Sequence, residues 1–201
     1  DKIDDFKILD EDNIETKKTY SILLQKLNKD KVKENETFKN ITIQSYKSIK
    51  KKKKKVERLH EGYIGIHYIN KLYNIIPNLM WTYYYDENYV YIEHIEGILF
   101  QEWLINNFNK VEFIQIFHQI MLAINLIQKY INFTHFDLSP WNIILKFYDK
   151  PQKIYYECTK TNKFICIKTK IIPIIIDYGK STINNIGYYN HNKYTDMLCL
   201  F

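Results

Sequence analysis

An α+β fold, built as two small parts around a cleft, is the architecture this sequence predicts, and three observations predict it. Residues 56–73 and 111–130 repeat apolar side chains near every 3.6 positions, the mark of helices with one buried face. Residues 38–46, 79–85 and 89–93 alternate or run β-branched and aromatic between turn residues, as strands do. Finally, two polar turns each adjoin a short apolar strand and each carries an aspartate: Asp137 ahead of Ile143-Ile144-Leu145, and Asp177 after Ile174-Ile175-Ile176.

Each element can be justified from its residues. Residues 1–40 are charged and stay unassigned, and within them 19–27 suits a short helix or a strand equally. Ile41 and Ile43 alternate with polar neighbours in the strand 38–46. Residues 50–55 are six consecutive lysines, read as a solvated loop or helix lead-in rather than a nucleic-acid signal. The helix 56–73 places Leu59, Tyr63, Ile66 and Ile69 on one face and ends by Pro77. Asp86-Glu87-Asn88 turns one strand back into the next. Residues 99–107 form a short helix. The helix 111–130 is the best in the chain, with Phe113, Ile116, Ile120, Ala123 and Ile127 in one wide stripe. Past the Asp137 turn, 154–156 and 164–167 flank Lys160-Thr161-Asn162 as an inserted hairpin at about 150–170, and the run 171–176 is interrupted by Pro173.

Composition bounds the rest. The chain has 201 residues, 46% of them hydrophobic and 16% aromatic, enough for a core and against wholesale disorder. The net charge of +6 invites a nucleic-acid partner, but Lys, Asn, Ile and Tyr are in excess together and share AT-rich codons. A nucleic-acid partner is therefore not expected. Cys158, Cys166 and Cys199 form no paired framework and read as free thiols of a reducing, cytoplasmic setting. The segment 113–133 contains Gln115, His118, Gln119, Asn125, Gln128 and Lys129, which reads as too polar to cross a bilayer, so no membrane partner is expected. The other histidines show no metal-ligand spacing.

The chemistry concentrates in His135-Phe136-Asp137-Leu138-Ser139-Pro140-Trp141-Asn142, a His-x-Asp-x-x-x-x-Asn pattern, with Asp177 coming 40 positions after Asp137. Phosphoryl transfer from ATP needs one carboxylate to orient an acceptor hydroxyl. It also needs an Asn and a second carboxylate to hold Mg²⁺ on the phosphates. Asp137, Asn142 and Asp177 stand in that order. A motif alone carries a false-positive risk, and the flanking strands are what reduce it.

On these residues the chain resembles the protein-kinase-like superfamily, and most the divergent kinase-like proteins of large DNA viruses. The resemblance implies a two-lobed fold: an antiparallel-sheet N-lobe at 41–95 and a mainly helical C-lobe at 96–201, apparently truncated at both ends. It implies ATP and Mg²⁺ as cofactors, Asp137 as the catalytic carboxylate, and Asn142 and Asp177 as metal ligands. Tyr91-Ile92-Glu93-His94-Ile95-Glu96-Gly97 resembles the hinge between lobes, where the Glu93 carbonyl and Ile95 N–H would meet adenine, with Ile92, Ile144 and Leu145 as its apolar walls. Glu61 stands where the family's helix glutamate pairs with a phosphate-gripping lysine. His135 is implied to brace the turn. If the chain is viral, the host-cell cytoplasm is the implied location.

Departures from the family pattern bear on activity. No glycine precedes Gly62, so a Gly-rich phosphate loop is missing. Gln44 occupies the place of the strand lysine, with Lys47 the nearest substitute. Phe136 replaces the arginine that reads a phosphorylated activation loop, and Ser139 replaces a lysine that touches the γ-phosphate. The Leu-Ser-Pro-Trp-Asn spelling is closer to small-molecule phosphotransferases. Three functions remain: a phosphotransferase acting on a protein Ser/Thr or a small-molecule hydroxyl acceptor, a pseudokinase scaffold, and a basic nucleic-acid-binding module.

Overall fold

The computed structural model describes residues 18–22, 41–45, 51–86, 89–158, 163–184, 186–187 and 189–200, with 18–22, 41–45 and 51–55 as backbone alone. Four antiparallel strands form the first sheet: β1 (Lys18–Ile22), β2 (Ile41–Ser45), β3 (Thr82–Tyr85) and β4 (Tyr89–Glu93), in the order β1-β2-β4-β3. The undecided segment 19–27 thus contributes a strand, with Tyr20 opposite Ile43, and Gln44 lies opposite Val90.

Helix α1 (Lys51–Ile64) packs on β3 and β4 and continues through a π-helical turn (Gly65–Ile69) into α2 (Asn70–Leu72). Lys51–Lys55 of the lysine run are therefore helical backbone. The buried face is not the expected one. Glu61, Gly62, Ile64, Gly65, Ile69 and Leu72 face inward, whereas Tyr63 is exposed and Leu59 and Ile66 are half-buried. Two physical reasons account for the change. From Gly65 on, the π turn adds a residue to the helical repeat and shifts which positions face inward. Gly62 and Gly65 let β3 approach so closely that a Cβ there would overlap the Tyr85 ring or the Thr82 side chain.

The loop after α2 joins the two halves of the molecule. Asn78 is fully buried and directs its polar groups across the join: its Nδ2 donates to the Pro173 carbonyl at 2.8 Å, its Oδ1 accepts from the Tyr156 hydroxyl at 2.8 Å, and its carbonyl accepts from Ile175 N–H at 2.8 Å. Strand β3 consequently starts at Thr82, while Leu79 makes a separate parallel bridge to Ile175.

The second half begins with β5 (Gly97–Leu99), α3 (Phe100–Asn106) and α4 (Lys110–Ile131). Asn109 caps α4 by accepting from the N–H groups of Val111 and Glu112, a cap worth about 1 kcal/mol. Asn132 ends it in the left-handed region at φ 45°. By length and composition alone α4 would pass for a membrane span, with a mean hydropathy of 1.3 in its most apolar window, contrary to the sequence expectation. One face of it packs into the core. Ile116, Ile120, Ala123 and Ile127 are fully buried, and Gln119 is sealed inside with its Nε2 donating to the Ile171 carbonyl at 3.0 Å.

After the short β6 (Phe133–Thr134), the strands β7 (Ile143–Glu157) and β8 (Phe164–Ile175) pair along their length and, with β5, form a sheet ordered β5-β7-β8. The expected separate hairpin is a continuation of the two strands that flank the aspartate turns, with a register shift between Phe147 and Gln152. Pro173 does not interrupt β8, because β8 is an edge strand and needs no inward N–H there. β9 (Thr182–Ile183) pairs with β6, and α5 (Thr195–Cys199) closes the described chain.

Candidate active site

The two aspartate turns are tied to each other. Ile176 N–H donates to the Asn142 carbonyl at 3.0 Å, and the fully buried His135 ring bonds the Ile176 carbonyl through Nε2 at 3.0 Å. The residue before Asp177 is thus held from both ends of the His135–Asn142 loop. Within that loop Asn142 Nδ2 donates to the Asp137 carbonyl at 2.7 Å, and Ser139 N–H to the same carbonyl at 2.8 Å. Asn142 thereby uses its amide nitrogen internally and keeps its amide oxygen for another role.

Each turn contains a non-glycine residue in left-handed backbone, Phe136 at φ 61° and Asp177 at φ 64°. Such conformations cost on the order of 1–3 kcal/mol each and persist only where surroundings enforce them. The enforcing groups are visible. Asp196, fully buried on α5, accepts from His135 N–H through both carboxylate oxygens at 2.9 Å and from Phe136 N–H at 3.0 Å. Burial pushes the Asp196 carboxyl up, while these donors and the neighbouring histidines pull the other way. Asp177 caps its own turn, accepting from Gly179 N–H at 3.4 Å, and the buried Tyr178 hydroxyl donates to the Ile175 carbonyl and accepts from Met80 N–H. Burial drives that phenol well above its usual range, so it stays protonated.

Asp137 carries an unforeseen partner. Lys180 Nζ lies 2.8 Å from Asp137 Oδ2. Burial alone would raise the Asp137 carboxyl, but the bond and charge of Lys180 outweigh it and hold the group below the ordinary aspartate range. Lys180 in turn is raised, first by that bond and also by the charges of Asp177 and Glu57.

The remaining expected residues divide. Glu61 is buried on α1, and a Cβ on Gly179 would sit 4.0 Å from its Oε2 and 3.3 Å from Asp177 Oδ1. Glu61 therefore flanks the Asp177 turn. Glu93 ends β4 and Ile95 lies just past it; the Glu93 side chain accepts from the Tyr73 hydroxyl at 2.7 Å. A cavity of about 330 Å³ opens beside them, lined in part by Tyr73, Glu93, Ile95 and Lys146, but Asp137, Asn142 and Asp177 do not line it. Leu145 is fully buried on β7 and Ile92 nearly so on β4, while Ile144, next along β7, is half-buried because successive side chains on a strand point to opposite faces. Lys47 lies outside the described residues.

Asn142 Oδ1 and the Asp177 carboxylate are oxygen donors of the kind a hard cation takes. Among the described residues no three His, Cys, Asp or Glu side chains cluster into a closed metal cage. The residues present suit Mg²⁺, which binds through one or two carboxylates and completes its shell with phosphates and water. Sequence reasoning missed Asp196 and Lys180 as site residues. Asp196 lies 61 positions from His135, and its burial is a tertiary fact. For Lys180 a signal existed: a lone cation directly after the Asp177-Tyr178-Gly179 turn.

This fold and loop pair define the class: the chain has the protein-kinase-like fold. The structure matches the kinase domain of PF14_0431 with a TM-score of 0.53 at 23% identity, covering 92% of this chain and 53% of that one. It matches the Rio2 kinase of Chaetomium thermophilum, in its ADP/Mg²⁺-phosphoaspartate complex, with a TM-score of 0.51 at 12% identity, covering 94% and 52%. In sequence, the chain is 31% identical over 151 residues to uncharacterized protein 179R of Invertebrate iridescent virus 6, covering 66% of this chain and 13% of that protein. It is 31% identical over 77 residues to probable kinase 098L of Invertebrate iridescent virus 3, covering 38% and 14%. The chain thus spans about half of the solved kinases and a small part of the viral proteins. No protein-family model matches it.

Proposed function

We propose that this chain carries the phosphoryl-transfer site of a kinase-like phosphotransferase, moving the γ-phosphoryl of ATP to a hydroxyl acceptor, with serine or threonine on a protein as the first acceptor to test. The supporting observation is the mutual anchoring of the two aspartate turns: Ile176 bonded to Asn142 on one side and to His135 on the other. On this reading residues 41–95 are the small lobe and 96–201 part of the large one. Asp137 accepts the acceptor hydroxyl's hydrogen bond and aligns its oxygen with the γ-phosphorus, a contribution of about 10²–10⁴ in rate. Asn142 and Asp177 hold Mg²⁺, which would neutralise charge on the phosphates. Glu93 and Ile95 offer backbone atoms to adenine, and Ile144 its apolar contact.

A second reading, a pseudokinase scaffold, is favoured by Gln44 on β2 and the lack of glycine before Gly62. The Leu-Ser-Pro-Trp-Asn spelling keeps a small-molecule acceptor as a third. Thermal melting with and without Mg-ATP, then transfer of labelled γ-phosphate to protein and small-molecule hydroxyls, separates them. Binding with transfer supports the first reading, binding without transfer the second, and neither counts against the nucleotide site itself.

A further inference from the structure

We infer that Lys180 is the cation that faces the transferring phosphoryl group, doing from the Asp177 turn what the catalytic loop cannot do for itself. The inference rests on the phosphotransferase reading and concerns the charge balance at its centre. A phosphoryl group brought to Asp137 meets a carboxylate, and a Mg²⁺ held by Asn142 and Asp177 would balance charge on the metal-bound phosphate oxygens rather than beside Asp137. Like charges at such range oppose approach unless a cation lies between them. The loop supplies none: Ser139, Pro140 and Trp141 are neutral. Lys180 fills the gap from outside the loop. Its ammonium bonds Asp137 Oδ2 at 2.8 Å and is also drawn by the charges of Asp177 and Glu57.

An ammonium has three donor protons, and one suffices for Asp137. The other two remain for γ-phosphoryl oxygens beside the acceptor. The side chain is 52% exposed, so it can turn toward an incoming phosphate without breaking a packed core. In the transfer, the acceptor oxygen forms a bond to the γ-phosphorus while its proton passes to Asp137. The bond to the β,γ-bridging oxygen breaks, and its electron pair leaves with ADP. Lys180 stays protonated throughout and balances charge on the equatorial oxygens, where kinase transition states carry it.

The test compares Mg-ATP with Mg-ADP in the full chain, wild type against Lys180→Met and Lys180→Arg, with melting curves to confirm folding. Lys180→Met is expected to lower the preference for Mg-ATP over Mg-ADP by about tenfold, the loss of one charge-assisted hydrogen bond. It is also expected to lower kcat for γ-phosphate release by about 10²-fold with a much smaller change in KM, as for removal of one transition-state donor. Lys180→Arg should recover part of both. An unchanged ATP-to-ADP ratio in Lys180→Met overturns the inference even if the wild type turns out to bind without turnover. Faster turnover in Lys180→Met also overturns it, making Lys180 a plug on Asp137. A wild type that binds neither nucleotide overturns this inference and the site reading together, whereas wild-type transfer with an indifferent Lys180→Met sinks only the former.

Discussion

The two sides of the cleft are held in different ways. The lower side, from His135 to Asn142 and from Ile176 to Ser181, is fixed by hydrogen bonds from buried groups: His135 to Ile176, Asp196 to two loop N–H groups, Tyr178 to the backbone on both sides of its hydroxyl. The upper side, α1 and its continuation against β3 and β4, relies more on close packing through Gly62 and Gly65, with Asn70 bonding the Thr82 backbone through both its amide nitrogen and oxygen and His60 bonding the Ser181 carbonyl, and it presents one buried carboxylate, Glu61, to the Asp177 turn. Directional bonds position a reacting group to fractions of an ångström; packing positions a helix as a body. The two turns of the lower side are therefore the more finely positioned part, and the helix of the upper side is set against them as a body.

Substitutions can break that contrast, starting with the largest expected effect. Asp137→Ala should reduce turnover by about 10²–10⁴ while leaving Mg-ATP affinity near wild type, measured by single-turnover transfer and calorimetric titration. Loss of affinity in step with rate would mean that Asp137 is a binding group. Asp196→Ala should cost several kcal/mol in denaturant unfolding, because the two loop N–H groups it satisfies would each lose about 1–3 kcal/mol when left unpaired. A near-neutral result would show that the loop does not need its buried anchor. On the upper side, Gly65→Ala should cost about 1–3 kcal/mol by overpacking against Thr82, without shifting the relative turnover of molecules that remain folded.

A site belonging to neither side sets the floor. Glu157 is held below the usual glutamate range by hydrogen bonds from Lys129 and then Tyr130. A depressed folded value stabilises the fold above the unfolded value and ceases to do so as pH falls through the folded one. Glu157→Gln should accordingly lower the melting temperature slightly at neutral pH, and the difference from wild type should vanish on acidification. A difference that grows in acid would contradict the assignment.

Legibility in the sequence divides along the same line. His135, Asp137, Asn142 and Asp177 lie in short local patterns, so the two turns that the structure ties together were legible from spacing alone. The buried face of α1 was not, since it is set by the close approach of β3 at Gly62 and by the buried Glu61 rather than by an apolar stripe. Strands β7 and β8 proved longer than their apolar cores, because exposed Asp149, Lys150 and Pro151 hide the continuing pleat. Asp196 and Lys180 depend on contacts across 61 and 43 positions, and only Lys180, the cation directly after the Asp177 turn, left a local hint.

The central claim is that Asn142 and Asp177 share one magnesium-nucleotide pocket with Asp137. Calorimetric titration of ATP with and without Mg²⁺ into wild type and Asp177→Ala tests it most directly. The account predicts Mg²⁺-dependent binding by the wild type and its loss in Asp177→Ala. Equal nucleotide affinity in the two proteins would contradict it.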